Sequence, residues 1–204
     1  MKQELVVATK NKKKLREIKE LLAGLNLKIT SLADYKSSPR IIENGKTFRE
    51  NAVKKAMKIA RFSEKLTLGE DSGLCVKNLG GRPGVYSSRF SGKGKNDLQN
   101  NLKLLKMLGD LPPAKRKAYY ACAVALADKR GILGVVEGCC LGRIGFQMKG
   151  KSGFGYDPLF VIPRYEKTFA ELGLKVKHTM SHRFRALKQS RRIIQKYIEH
   201  CGAS

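Results

Sequence analysis

Glu4-Leu-Val-Val-Ala8, continued by Thr9-Lys-Asn-Lys-Lys-Lys14 and Leu15-Arg-Glu-Ile-Lys-Glu-Leu-Leu-Ala23, decides the fold class. The first piece is a short apolar run with β-branched residues, which reads as a buried strand. Residues 12–23 then place Leu15, Ile18 and Leu22 at helical spacing, with Lys and Glu on the other face. A strand, a basic turn and an amphipathic helix in succession open an α/β protein.

Outward from that segment, residues 25–30 read as a second strand. Thr47-Phe-Arg-Glu50 has the form of a capping box. It predicts a helix to about residue 61, with Ala52, Val53, Ala56, Ile59 and Ala60 inward. Residues 66–68 form a strand that ends in the turn Gly69-Glu-Asp-Ser-Gly73, and residues 74–76 read as strand again. Gly80-Gly-Arg-Pro-Gly84 is turn chemistry. Residues 97–108 read as a helix with Leu98, Leu102, Leu105 and Leu108 on its buried stripe. Residues 119–127 and 131–140 flank Asp128-Lys-Arg-Gly131 as an antiparallel hairpin. A loop at 149–158, a strand at 159–162 and a helix at 183–201 complete the chain. The last helix turns Leu187, Ile194, Ile198 and Cys201 inward. With no repeat or linker, one domain over residues 1–204 is expected, carrying a hairpin lobe near 110–165.

The 204 residues hold 42 Lys+Arg against 17 Asp+Glu, a net charge of +25, which favours polyanionic partners: nucleic acid, acidic membrane or phosphorylated small molecules. A lysine-rich solvated surface explains the same number. A hydrophobic content of 42% excludes disorder throughout. No apolar run is long enough to span a membrane, and the start, Met1-Lys2-Gln3-Glu4, is no signal peptide. Cys75, Cys122, Cys139, Cys140 and Cys201 show no metal spacing and read as reduced, buried thiols of a cytoplasmic protein.

Five segments can carry chemistry. Thr9, Lys10, Asn11, Lys12, Lys13 and Lys14 surround a helix N-terminus, which suits phosphate and equally suits a solvated basic helix start. Glu70 and Asp71 could hold Mg²⁺ or activate water, or simply be acids in a turn, and Glu43 is a candidate third carboxylate. Asn51 and Lys55 share a helix face, pointing either at phosphate or at solvent. In Ser152-Gly-Phe-Gly-Tyr-Asp-Pro158, glycines flank Phe154, so the backbone can approach a ligand. There Phe154 and Tyr156 offer flat faces for a purine, or tuck into the core, and Asp157 can accept hydrogen bonds. Lys177 and Ser181-His-Arg183 are the fifth: Ser181 is a natural N-cap, while His182 and Arg183 suit a helix N-terminus poorly.

These segments occur in an order that resembles the inosine triphosphate pyrophosphatase family, from Val6 to about Leu187. Ala8-Thr-Lys-Asn-Lys-Lys-Lys14, Thr47-Phe-Arg-Glu-Asn-Ala52, Glu70-Asp-Ser-Gly-Leu74, Gly80-Gly-Arg-Pro-Gly-Val-Tyr-Ser87, Gly153-Phe-Gly-Tyr-Asp-Pro158 and Ser181-His-Arg183 carry the resemblance. It implies an elongated α/β fold with a central mixed sheet flanked by helices, two lobes and a cleft between them. It implies a homodimer, Mg²⁺ as cofactor, and hydrolysis of ITP, dITP or XTP to the monophosphate and pyrophosphate. On this resemblance Thr9, Lys10, Asn11, Lys12, Lys13, Lys14 and Lys55 hold the triphosphate. Asp71 is the catalytic carboxylate and a metal ligand, with Glu43 its metal partner, and Ser72 touches substrate. Phe154, Gly155, Tyr156, Asp157, Lys177, His182 and Arg183 form the base pocket. Lys10 and Lys13 stand where small residues are usual, Glu70 replaces the commoner Asp, and Val176 leaves Lys177 without an acidic neighbour in sequence. This reading requires neither membrane nor nucleic acid. The alternatives are a pyrophosphatase of modified pyrimidine triphosphates and a basic nucleic-acid-binding module.

Overall fold

The computed structural model describes residues 2–92, 94 and 96–202, with the side chains of residues 201 and 202 not described. The expected inward position of Cys201 therefore lies outside the described residues. The opening strand and helix form as their patterns require: β1 (Gln3–Val7) is followed by α1 (Lys12–Leu21), with β2 (Leu27–Ser31) after it. Helix α2 (Phe48–Ser63) starts at Thr47, whose hydroxyl accepts from the amide of Glu50. The reciprocal half of the expected box is absent, because the Glu50 carboxylate accepts from the amide of Lys46 instead.

The main correction concerns β3 (Leu66–Val76), a single buried strand that runs straight through Gly69-Glu-Asp-Ser-Gly73. Two glycines and three polar residues imitate a turn, but this stretch is sheet interior. Helix α3 (Asp97–Leu108) follows, then β4 (Lys117–Ala127), β5 (Ile132–Ile144), β6 (Phe160–Ile162) and β7 (Lys167–Thr168). Helix α3 is rotated from the expected stripe: Leu104 and Leu108 are buried beside Asn100 and Asn101, whereas Leu98 and Leu102 are exposed. Helices α4 (Phe169–Met180) and α5 (His182–Gly202) end the chain. Sequence periodicity does not predict α4, because Gly173 interrupts it with φ 76°.

The seven strands lie in the order β2-β1-β3-β4-β5-β6-β7. Strand β1 is parallel to β2 and β3, while β6 is antiparallel to β5 and β7, so the sheet is mixed, as expected. Two compact units can be distinguished. The first comprises the chain up to Asp71, Cys122–Gly138 and the chain from Arg183 onward; the second comprises Ser72–Ala121 and Cys139–His182. Strands β3, β4 and β5 contribute residues to both.

In the first unit, strand alternation divides two cores. Cys122, Val124 and Leu126 of β4 face one side, where they join Leu5, Val7, Leu66 and Leu68 under α1 and α5. Ala123, Ala125 and Ala127 face the other and meet Ala52, Ala56 and Ala60 of α2. In the second unit, Leu74, Val76, Leu104, Leu108, Tyr120, Tyr156, Phe160 and Phe169 share one core. No disulfide occurs among the described residues: Cys75, Cys122 and Cys140 are buried thiols, and Cys139, contrary to expectation, is exposed. No described helix is long and apolar enough to cross a membrane.

Candidate active site

The alanine face of α2 lets the helix lie unusually near β3. A Cβ at Gly69 would stand 2.2 Å from the carbonyl oxygen of Ala52, so only glycine permits this approach. Two residues past that contact point, on the same face of the strand, Asp71 is within reach of Asn51 and Lys55 of α2. The Asn51 amide donates to Asp71 Oδ2 at 3.0 Å, and Lys55 Nζ donates to Asp71 Oδ1 at 2.9 Å. Lys55 Nζ also lies 2.9 Å from Glu43 Oε2 and donates to the Glu70 carbonyl at 3.1 Å. Asn51 in turn accepts from the amide of Gly45, tying the loop that carries Glu43 to the same helix. Thus Glu43, Asn51, Lys55 and Asp71, scattered over 29 positions of sequence, form one cluster.

One ammonium here serves two carboxylates. Burial acts against the charge of Lys55, but Asp71 and Glu43 outweigh it and raise its pKa. Burial raises the pKa of Asp71 above the ordinary 3.8, and the shared Lys55, helped by Lys14, does not fully offset this. Oxygens of Glu43 and Asp71 converging on one cationic point form a hard-donor set of the kind that divalent magnesium takes. Among the described residues there is no group of three or more His, Cys, Asp or Glu able to hold a metal ion. Any such ion would complete its shell with substrate oxygens and water.

Glu70 does not join Asp71. Neighbouring strand residues point to opposite faces, and Glu70 enters the side lined by α1 and α5. There its carboxylate lies 3.4 Å from Lys14 Nζ, accepts from Arg183 Nη2 at 3.1 Å and contacts the Cys122 thiol at 3.5 Å. Arg183 also donates to Glu17 of α1. Burial would lower the pKa of this guanidinium, but Glu70 and Glu17 raise it, so it stays fully charged. The loop before α1 is self-supporting. Asn11 Oδ1 accepts from the amides of Lys13 and Lys14, and Thr9 Oγ1 accepts from the amide of Asn11. Two helix-start amides are thereby spent on the cap. Lys10, Lys12 and Lys13 are exposed and Lys14 is half-buried. Among the described residues only Glu64 and Glu166 are non-glycines with positive φ, so Lys10 needs no glycine-like conformation.

The second unit gathers the remaining candidates. Gly153 has φ 82°, and a Cβ on it would stand 2.1 Å from Asp157 Oδ2. That oxygen accepts from the Phe154 amide at 2.9 Å and from Lys177 Nζ at 2.7 Å. Asp157 is thus the counter-charge that Val176 does not supply, and it builds the loop from within. Lys177 lies 4.8 Å from the ring centre of half-buried Phe154. Gly155 is pinned by both backbone groups, its amide donating to Asp97 and its carbonyl accepting from Asn101. Tyr156 is not a free flat face: it is buried in the core, with its hydroxyl donating to the Ser87 carbonyl at 2.9 Å. Burial raises its pKa, which keeps it a donor. His182 stacks on Tyr120, the rings 4.5 Å apart and 10° from parallel. Ser72, half-buried on β3, belongs to this unit.

Sequence reasoning missed Glu17, Asn51's bond to Asp71, Cys122 and Tyr120. Asn51 had a visible signal, its four-residue spacing from Lys55. Glu17 offered only weak local evidence, an acid at an inward position of an amphipathic helix.

The Ham1 family model matches residues 5–193 of the chain. The chain is 44% identical over 197 residues to the dITP/XTP pyrophosphatase of Desulforamulus reducens, covering 97% of this chain and 98% of that protein. Among solved structures, the Ham1 protein of Staphylococcus aureus is 32% identical with a TM-score of 0.85, covering 96% of this chain and 100% of that one. A HAM1 protein from Coxiella burnetii is 36% identical with a TM-score of 0.86, covering 95% and 99%. With the family model matching most of the chain and a relative 44% identical over 97% of it, the chain belongs to the Ham1 family.

Proposed function

We propose that this chain is a nucleoside triphosphate pyrophosphatase that hydrolyses ITP, dITP and XTP to the monophosphate and pyrophosphate in the cytoplasm. The observation that carries the reading is the near end-to-end 44% identity to a protein named dITP/XTP pyrophosphatase. The cluster of Asp71, Glu43, Lys55 and Asn51 supports it. A triphosphate brings about four negative charges at neutral pH. Lys14 and Lys55 offset part of that charge, with Lys10, Lys12 and Lys13 adding longer-range attraction and Thr9 and Asn11 shaping the loop. Glu43 and Asp71 would hold Mg²⁺, which when bound neutralises the reacting phosphoryl group. Asp71, fixed by Asn51, orients the attacking water and accepts its proton at a carboxylate oxygen. Pyrophosphate leaves with its charge held by the lysines.

Base selection follows from donors. Hypoxanthine and xanthine present O6 as an acceptor, where adenine presents an amino donor. Lys177 and Arg183 hold fixed positive charge in ion pairs with Asp157 and with Glu17 and Glu70, and that field together with a His182 ring N–H favours the O6 acceptor over adenine's amino donor by about 1–3 kcal/mol. Phe154 would supply a flat face for the purine, and Ser72 and Gly155 would touch substrate. Asp157 acts through Lys177 and the Phe154 amide as a positioning residue. A homodimer is part of the proposal; exposed Tyr86, Leu98, Leu102, Leu141 and Phe146 in the second unit offer apolar surface for it. The test is pyrophosphate release from a panel of nucleoside triphosphates with and without Mg²⁺. ITP, dITP and XTP should exceed ATP by at least a hundredfold; a preference for dTTP or modified UTP would overturn the purine reading.

A further inference from the structure

Helices α1 and α5 lie side by side on one face of the first unit's sheet. Arg183 reaches Glu17, and eight residues later Arg191 donates to the carbonyls of Leu21 and Ala23, so the helices run in the same direction. Their outward faces carry cations in rows. On α5, Arg185, Lys188, Arg192 and Lys196 are all exposed and recur at helical spacing. Glu199, near its end, is the only acid of that helix. On α1, Lys12, Arg16 and Lys19 form a second exposed row, with Arg16 paired to Glu20. Holding so many like charges together costs self-repulsion, and none of these residues takes part in the Asp71 cluster.

We propose that this two-helix face docks on the phosphodiester backbone of double-stranded DNA without reading its base sequence. Three observations select that partner. No exposed large hydrophobic residue lies on α1 or α5 among the described residues, whereas insertion into a membrane interface or a protein hot spot needs one. Tyr197 packs toward the core and Lys188 lies over the Phe184 ring, so no aromatic stands out as a stacking platform for single strands. Successive cations on α5 rise by about 4.5–6 Å, against one phosphate per roughly 3.4 Å of axis on each strand. Packed helices sit about 8–10 Å apart, so two such rows can straddle the narrow minor groove of B-form DNA. The wide, shallow minor groove of A-form RNA does not suit that separation. Apart from Lys12, which the triphosphate reading also uses, the surface shares no residue with the proposed catalytic machinery, and it would hold the protein near DNA whatever its substrate.

The test uses the full chain, a mixed-sequence 20-base-pair DNA duplex and fluorescence anisotropy across a salt series. The variant Arg185→Gln, Lys188→Gln, Arg192→Gln and Lys196→Gln should bind at least tenfold more weakly. The slope of log affinity against log salt should shrink by about 3–4. A control that removes the same charge from exposed lysines of the second unit, Lys77→Gln, Lys106→Gln, Lys115→Gln and Lys117→Gln, should stay within threefold of the parent. Both variants should keep the parent's thermal melting and pyrophosphate release. Equal weakening in the two variants would reduce the effect to net charge and overturn the proposal. So would tighter binding to duplex RNA of the same length, or a defect confined to phosphatidylglycerol vesicles.

Discussion

Two buried lysines are used in opposite ways in the two units. Lys55 is shared by Asp71 and by Glu43, whose side chain is 38% exposed, so one end of its charge cluster meets solvent. Lys177 is matched to Asp157 with each side chain only 2% exposed, and the same carboxylate oxygen also holds the Phe154 amide. A charge whose partner is reachable can exchange that partner for a phosphate or a metal ion. A charge sealed with its partner can only fix shape. The first arrangement suits chemistry, and the second suits holding the loop at Phe154 still.

Three experiments break or sharpen this contrast. The largest expected effect is Asp71→Asn, which should lower kcat by about a thousandfold by removing the proton acceptor; turnover near the parent's would end its catalytic role. Folding should survive. Burial raises the Asp71 pKa, so its contribution to stability is present at low pH and lost as pH rises through the shifted value. At neutral pH the ionised group has already lost that contribution, and the neutral amide should leave the metal-free melting temperature unchanged or higher.

Next comes Lys177→Met, which strands Asp157 as an uncompensated buried charge. Urea unfolding should show a loss of about 3–5 kcal/mol, and adding Asp157→Asn to the variant should recover part of it. A loss below about 1 kcal/mol would place this pair with ordinary surface bridges and remove its shaping role. The smallest effect is expected from Glu43→Gln, at the solvent-facing end of the first cluster. The half-saturating Mg²⁺ concentration should rise about tenfold while kcat at saturating metal is largely kept. An unchanged metal titration would show that Glu43 holds only Lys55.

Elements with a clean period were legible from the residues. The first strand and helix, the Thr47-started helix and the hairpin at Asp128 all formed close to their expected places. Failures came where one residue type serves two physical ends. Glycine in Gly69-Glu-Asp-Ser-Gly73 suggested a turn but instead permits helix contact. Leucines at 98 and 102 suggested a core face, yet Asn100 and Asn101 occupy buried positions because each bonds its surroundings, Asn100 to Ser91 and Asn101 to Gly155. Gly173 broke the period that would have revealed α4. Of the candidate site, the residue types were legible while several partners were not: Tyr156 belongs to the core and Asp157 to Lys177.

Local pattern alone determined the α/β class, the basic loop before the first helix and the small set of acids able to do chemistry, because hydrophobic period and residue type are properties of neighbours in the chain. Which carboxylate works with which cation was decided only in three dimensions. The unbroken course of β3 sends Glu70 toward Arg183 and Asp71 toward Lys55, since successive strand residues face opposite ways. The close seat of α2 over Gly69 then sets the reach of Lys55, a distance that arises from packing small residues far apart in sequence.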